Sequence, residues 1–141
     1  MSQINIYLTF NGNCADAMRF YQQALGGDLQ IMTFRDQPSP EHTPPGFEDK
    51  VMHAALTIDG ELALMASDAP PQHASKMGGF AVSLTYNDAD ESQRAFDKLA
   101  AGGKITMPFG KTFWSDAFGM LEDKFGTPWM VNTAAKEAAH V

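Results

Sequence analysis

Leu8-Thr9-Phe10-Asn11 returns as Leu84-Thr85-Tyr86-Asn87, and the same shift of 76 residues lays Phe20 on Phe96, Ala24 on Ala100 and Gly26-Gly27 on Gly102-Gly103. No gap is needed, so a unit of strand, helix and glycine stop occurs twice. In the first copy Ile4, Ile6, Leu8 and Phe10 alternate as a strand does over residues 4–10. Asn11-Gly12 turns the chain, and Asn13 is placed to cap a helix with Asp16 in its first turn. Cys14, Ala17, Met18, Tyr21 and Leu25 recur at helical steps, and Gly26-Gly27 ends them. In the second copy Asp88 or Asp90 stands near the helix start, with Phe96 and Leu99 on its buried face.

Outward from the repeat, Leu29, Ile31 and Thr33 begin a second strand. Pro38, Pro40, Pro44, Pro45 and Gly46 exclude regular structure from Asp36 to Lys50, a long loop that reads either as a lid or as a surface excursion. Strands follow at Val51 to Ile58 and, past Asp59-Gly60, at Glu61 to Ala66. The order is βαβββ. A Pro- and Gly-rich linker from Ser67 to Gly79 precedes the second copy. The chain thus divides into module one (about 3–67), a linker (about 68–78), module two (about 79–133) and a tail, 134–141, whose lack of an apolar stripe predicts fraying.

The segment 110–132 holds both tryptophans. It reads as two short strands around Gly126, with Pro128 opening an edge strand. Laying Gly60 to Leu64 over Gly126 to Met130, a shift of 66, makes it the second copy of the Val51 to Ala66 hairpin. Trp129 and Met130 then take the places of Ala63 and Leu64 and predict an apolar wall. Two such modules, each a twisted four-stranded sheet with one helix on its convex side, give an α+β fold: a half-barrel around a concave cleft of the kind that holds small molecules.

Composition narrows the functions. With 44% apolar and 19% charged residues the chain is an ordinary globular protein. A net charge of −7 and the absence of a basic cluster argue against nucleic acid and anionic membrane surfaces as partners. No basic and apolar leader and no membrane-length apolar run are present, so the expected location is the cytoplasm. One cysteine, Cys14, excludes an internal disulfide.

His53 is the one histidine inside an expected strand; it is either a pocket base or donor, or a core histidine tied to a backbone carbonyl. Glu122, on the strand leading into Asp123, is its candidate catalytic partner, since a carboxylate beside tryptophan can act as acid or base. Asp123 itself is read as capping a turn or staying solvated. Tyr7 on the first strand, Asp68 and Asp116 at the expected cleft mouth, and Phe113, Trp114 and Trp129 are the candidate substrate-binding residues. The aromatic residues equally suit a dimer seam. As strand neighbours, Phe113 and Trp114 face opposite sides unless a bulge intervenes. Cys14 at a helix start is a nucleophile or a packing residue; with no histidine close in sequence, packing is the better reading.

As an ordered set, Tyr7-Leu8-Thr9-Phe10-Asn11-Gly12-Asn13-Cys14-Ala15-Asp16-Ala17, Phe20-Tyr21 before Leu25-Gly26-Gly27, His53, Ser67-Asp68, Phe113-Trp114 and Asp123-Lys124-Phe125-Gly126-Thr127-Pro128-Trp129 resemble the PhnB-like branch of one superfamily. It is the glyoxalase, bleomycin-resistance and ring-cleaving dioxygenase (vicinal oxygen chelate) superfamily. The resemblance implies the paired-module fold and a homodimer. Metal-dependent members of that superfamily place His, Gln or Glu on the first and last strands of their modules, around a divalent ion with open positions for substrate. Here those strands offer Asn5, Tyr7, Thr9, Ala81, Ser83 and Thr85, then Leu62 to Met65 and Pro128 to Val131. No carboxylate or imidazole stands among them, and the expectation is no metal. The branch has also been labelled a ubiquinone-precursor methyltransferase, but Gly26-Gly27 and Gly102-Gly103 follow helices and do not make a nucleotide-binding turn. The reading is a small-molecule-binding protein or metal-free enzyme. Its alternatives are a metal-dependent isomerase, lyase or dioxygenase with ligands moved to His53, Asp68 and Glu122, and a dimeric interaction module without ligand.

Overall fold

A computed structural model describes residues 3–37, 41, 43–73 and 75–134. The first module runs β1 (Tyr7–Phe10), α1 (Cys14–Leu25), β2 (Asp28–Thr33), β3 (Val51–Ile58) and β4 (Glu61–Asp68). The second runs β5 (Val82–Tyr86), α2 (Ala89–Ala100), β6 (Lys104–Gly110), β7 (Ala117–Glu122) and β8 (Pro128–Thr133). Strand orders are β1-β4-β3-β2 and β5-β8-β7-β6. In each sheet the first strand joins the last in parallel and the other neighbours are antiparallel. The fold is α+β, two βαβββ modules, and the chain divides between Ser75 and Lys76 into two compact units.

Each helix buries one face of its sheet. In the first module Leu8, Phe10, Ala54, Leu56, Leu64 and Ala66 meet α1, whose Cys14, Ala17, Met18 and Tyr21 are fully buried. In the second, Trp129 and Val131 of β8 and Leu121 of β7 meet Ala95, Phe96 and Leu99 of α2. Burial alternates residue by residue along β4, β7 and β8, the period of a half-covered sheet. The paired glycines stop the helices and do more. A Cβ on Gly27 would collide with the Thr57 carbonyl, and one on Gly103 with that of Glu122, so the second glycine of each pair lets the chain leaving the helix lie against the central hairpin.

The pairings revise the repeat. Leu8 and Leu84 correspond, and their partners Ala66 and Val131 stand 65 positions apart, not 66. Trp129 therefore matches Leu64 and faces the helix, because a one-residue slip moves every side chain to the other face. The turn from Asp123 to Thr127 is longer than Asp59-Gly60, which hid the offset. Pro128 does open β8, but between β5 and β7 and not on an edge. β1 starts at Tyr7, since the alternation runs on into Ile4, which is 99% exposed. β4 continues past Ala66 to Asp68, opposite Phe10. Phe113 and Trp114 lie in the loop between β6 and β7, so strand alternation does not govern them. The tail 135–141 lies outside the described residues, as do Pro38 to Pro40 and His42 of the proline-rich loop. The base of that loop is closed by Phe34 N donating to Lys50 O and Arg35 N to Glu48 O.

Burial pushes the Cys14 thiol up to about 12, with the Asp68 carboxylate adding to the shift. A thiol that ionises near 9 when unfolded but near 12 when folded stabilises the fold below pH 9, and that contribution is lost as pH rises from 9 to 12. Native protein should leave Cys14 unmodified by Ellman's reagent at pH 8 and expose it only in denaturant. Urea midpoints followed from pH 9 to 11 should fall more steeply than those of Cys14→Ala.

Candidate functional site

The face of each sheet turned away from its helix carries the residues available for chemistry. In the first module Tyr7 pairs with Met65 and Thr9 with Ser67. Ala55 lies across from Met65, and Met32 across from His53. The Tyr7 and His53 rings stand 6.0 Å apart, tilted by 42°. His53 is half-buried and its imidazole makes no hydrogen bond among the described residues, so it is not the core histidine tied to a carbonyl. The open face thus offers an imidazole, a phenol ring and two hydroxyls around a thioether.

Asp68 is not part of that face. It is 4% exposed and points with Leu8 and Ala66 toward the helix side. Its Oδ1 accepts from Gly12 N at 2.9 Å and Cys14 N at 3.0 Å, and its Oδ2 from Val51 N at 2.9 Å. This carboxylate caps α1 from 54 residues away. Asn13, the expected cap, makes no side-chain capping bond. Asp68 therefore joins the β1–α1 turn, the start of β3 and the end of β4, and has no oxygen left for a substrate.

Trp129 likewise belongs to the core. It is 1% exposed, and its Nε1 donates to Asp123 Oδ2 at 2.8 Å. The other oxygen of Asp123 accepts from Phe125 N and Thr127 N, so Asp123 builds the β7–β8 turn as expected, though buried. Asp116 is exposed in the β6–β7 loop. Glu122 is exposed at the end of β7, in register with Lys104, and lies in a different module from His53. Phe113 is 97% exposed and stacks edge-on against Trp114 at 4.7 Å, which in turn meets Phe118 at 5.4 Å. Phe118 sits on the open face of the second sheet with Met120 and Met130, opposite Asn132.

Met107 and Met120 are not singled out by the sequence, whereas Met130 is expected in an apolar wall and does stand on the open face. Met107, Met120 and Met130 form one row across β6, β7 and β8. Their alternation within each strand was visible, but the bulges in β6 concealed that Met107 joins them.

The donor set does not fit the divalent ion of metal-dependent relatives. On the open faces the first and last strands present Tyr7, Thr9, Met65, Ser67, Ser83, Thr85, Met130 and Asn132. These are hydroxyls, thioethers and an amide, where a hard cation wants carboxylates and a borderline one imidazoles. Among the described residues no three His, Cys, Asp or Glu side chains cluster closely enough to hold a metal ion.

The model of the Glyoxalase/Bleomycin resistance protein/Dioxygenase superfamily matches residues 3–131. The chain belongs to this superfamily. It is 39% identical over 140 residues to protein YjdN of Escherichia coli, a match covering 93% of this chain and 95% of that one. The crystal structure of protein PA1353 from Pseudomonas aeruginosa superposes with a TM-score of 0.86 at 43% identity, covering 94% of this chain and 98% of that one. The PhnB protein of Bacillus cereus, named as a proposed 3-demethylubiquinone-9 3-methyltransferase, gives 0.74 at 28% identity over 94% and 100%. The superfamily neighbours therefore include the PhnB-like branch. No described helix is long and apolar enough to cross a membrane.

Substituting Asp68→Asn puts an N–H donor against backbone donors and should cost about 3 kcal/mol in urea unfolding, the scale of charge-assisted bonds lost in a buried site. Asp116→Asn, on an exposed loop, should change stability by less than about 0.5 kcal/mol.

Proposed function

We propose that this chain is a cytoplasmic, metal-free protein that binds a small organic molecule on the open face of β1, β3 and β4, and that His53 is the residue any turnover would use. The observation that carries this reading is the uncommitted His53 imidazole, 6.0 Å from the Tyr7 ring on a face its own helix does not cover. An imidazole can accept or donate a proton at a bound hydroxyl or carbonyl. Tyr7 and Met65 supply apolar contact, and Thr9 and Ser67 supply hydroxyls that orient a polar substituent. Glu122 adds no support, since it stands exposed opposite Lys104. The relocated-metal alternative loses ground because the oxygens of Asp68 are filled by the backbone. A second copy of the chain is the expected partner, with Phe113 available to bury.

Metal analysis and a ligand screen by NMR together test the reading. The protein should purify with substoichiometric metal, and the histidine and tyrosine ring signals of His53 and Tyr7 should shift with hits from a panel of small organic molecules, unaffected by EDTA. His53→Ala should weaken those hits at least tenfold, about 1.4 kcal/mol, without lowering the melting temperature. Stoichiometric Mn, Fe, Ni or Zn, with binding or activity lost on chelation and restored by the ion, would sink it.

A further inference from the structure

We infer that the open face of the second sheet is a binding site of its own, for an uncharged, flat molecule of about two fused rings carrying one hydrogen-bond donor, which rests on its methionine row; this goes beyond the small-molecule reading above, which concerns the first sheet. Met107 pairs with Met120 and Met120 with Met130, so three thioethers lie side by side on adjacent strands. All three are half-buried, on the face opposite α2. Strands spaced about 4.8 Å apart make such a row about 10 Å long, the length of a two-ring system. Thioethers are polarizable and adapt their rotamers to ring faces and edges. The neighbouring row supplies Phe118, and the Trp114 ring meets it at 68°, so an aromatic edge borders the row.

The charge of the ligand follows from what these rows lack. Their polar groups are Ser83 beside Met130, and Thr85 and Asn132 beside Phe118. The first charges on this face are Lys104 and Glu122, paired in register at the far end of the strands. A carboxylate or phosphate laid on the methionines would lose water and gain no cation in return. The net charge of −7 adds repulsion at long range. Asn132 supplies an unmet demand on this face: its Oδ1 is shielded from water and, like Thr112 Oγ1 in the β6–β7 loop, has no hydrogen-bond partner among the described residues. An amide oxygen without a partner calls for a donor, and a rotation of the Asn132 side chain toward the open face brings it within reach of a ligand O–H or N–H.

The test uses full-length protein carrying methyl-13C methionine, titrated at pH 7 with 2-naphthol, 2-methylnaphthalene and 2-naphthoate. Naphthol should shift the methyl signals of Met107, Met120 and Met130, quench the fluorescence assigned to Trp114 by comparison with Trp114→Phe, and bind at least tenfold tighter than naphthoate. Asn132→Ala should weaken naphthol but leave methylnaphthalene unchanged. Met120→Lys, checked for folding by circular dichroism, should reverse the order and favour naphthoate. Equal or tighter binding of naphthoate to the unmodified protein overturns the inference. So do shifts confined to His53 and Tyr7, which leave the small-molecule reading standing. If no compound of this set or of the wider panel moves either group of signals, both fall.

Discussion

A four-stranded sheet with a single helix has two faces and only one cover, and this constraint assigns nearly every side chain in each module. Leu8, Phe10, Leu64 and Ala66 go to α1, and Leu121, Trp129 and Val131 to α2. Their strand neighbours are left for solvent or for a ligand. The helix sits close enough that Gly119 has no room for a side chain: a Cβ there would strike the Phe96 ring. Because the strand period is two, the same constraint makes register decisive. It places Trp129, the largest side chain of the core, under the helix and leaves Met130 on the open side.

The two modules share this plan but anchor it differently. Asp68 ties the start of α1 to β3 and β4 with a buried carboxylate. At the equivalent position the second module has Thr133, whose Oγ1 donates to Ser92 Oγ. The Ser115 hydroxyl nearby lies 2.7 Å from the carbonyls of Ala117 and Thr133. A remote cap is not needed there, since Asp88 caps α2 locally through Glu91 N. Neutral hydroxyls then suffice, and a buried charge and its desolvation are avoided. The carboxylate that does lie buried in the second module, Asp123, orients Trp129 and the β7–β8 turn.

The open faces complement this division. The buried carboxylates Asp68 and Asp123 are held by backbone N–H groups and, for one oxygen of Asp123, by the Trp129 indole N–H. What remains on the open side is an imidazole, a phenol and a phenyl ring, hydroxyls, an amide and a row of thioethers, with the charges of Lys104 and Glu122 paired at one end of the second sheet. Such a surface favours apolar bodies with a few polar points, and it differs from the carboxylate- and imidazole-lined metal centres that the superfamily resemblance brings to mind.

Element order, the duplication, the helix stops and superfamily membership were legible in the residues, because each rests on local chemistry: alternation, glycine and proline placement, and a repeat spacing of 76. His53 as a strand residue, Cys14 as packing and Asp123 as a turn-former were legible for the same reason. What only the tertiary structure decided were matters of register and distant partners. The offset of 65 in the hairpins moved Trp129 from an expected ligand wall into the core. Asp68 changed from a cleft residue into the cap of a helix that begins 54 residues earlier. A strand pairing fixes which face a side chain takes, and a carboxylate is spent on whichever donors the fold brings to it; neither is written in the spacing of residues along one chain.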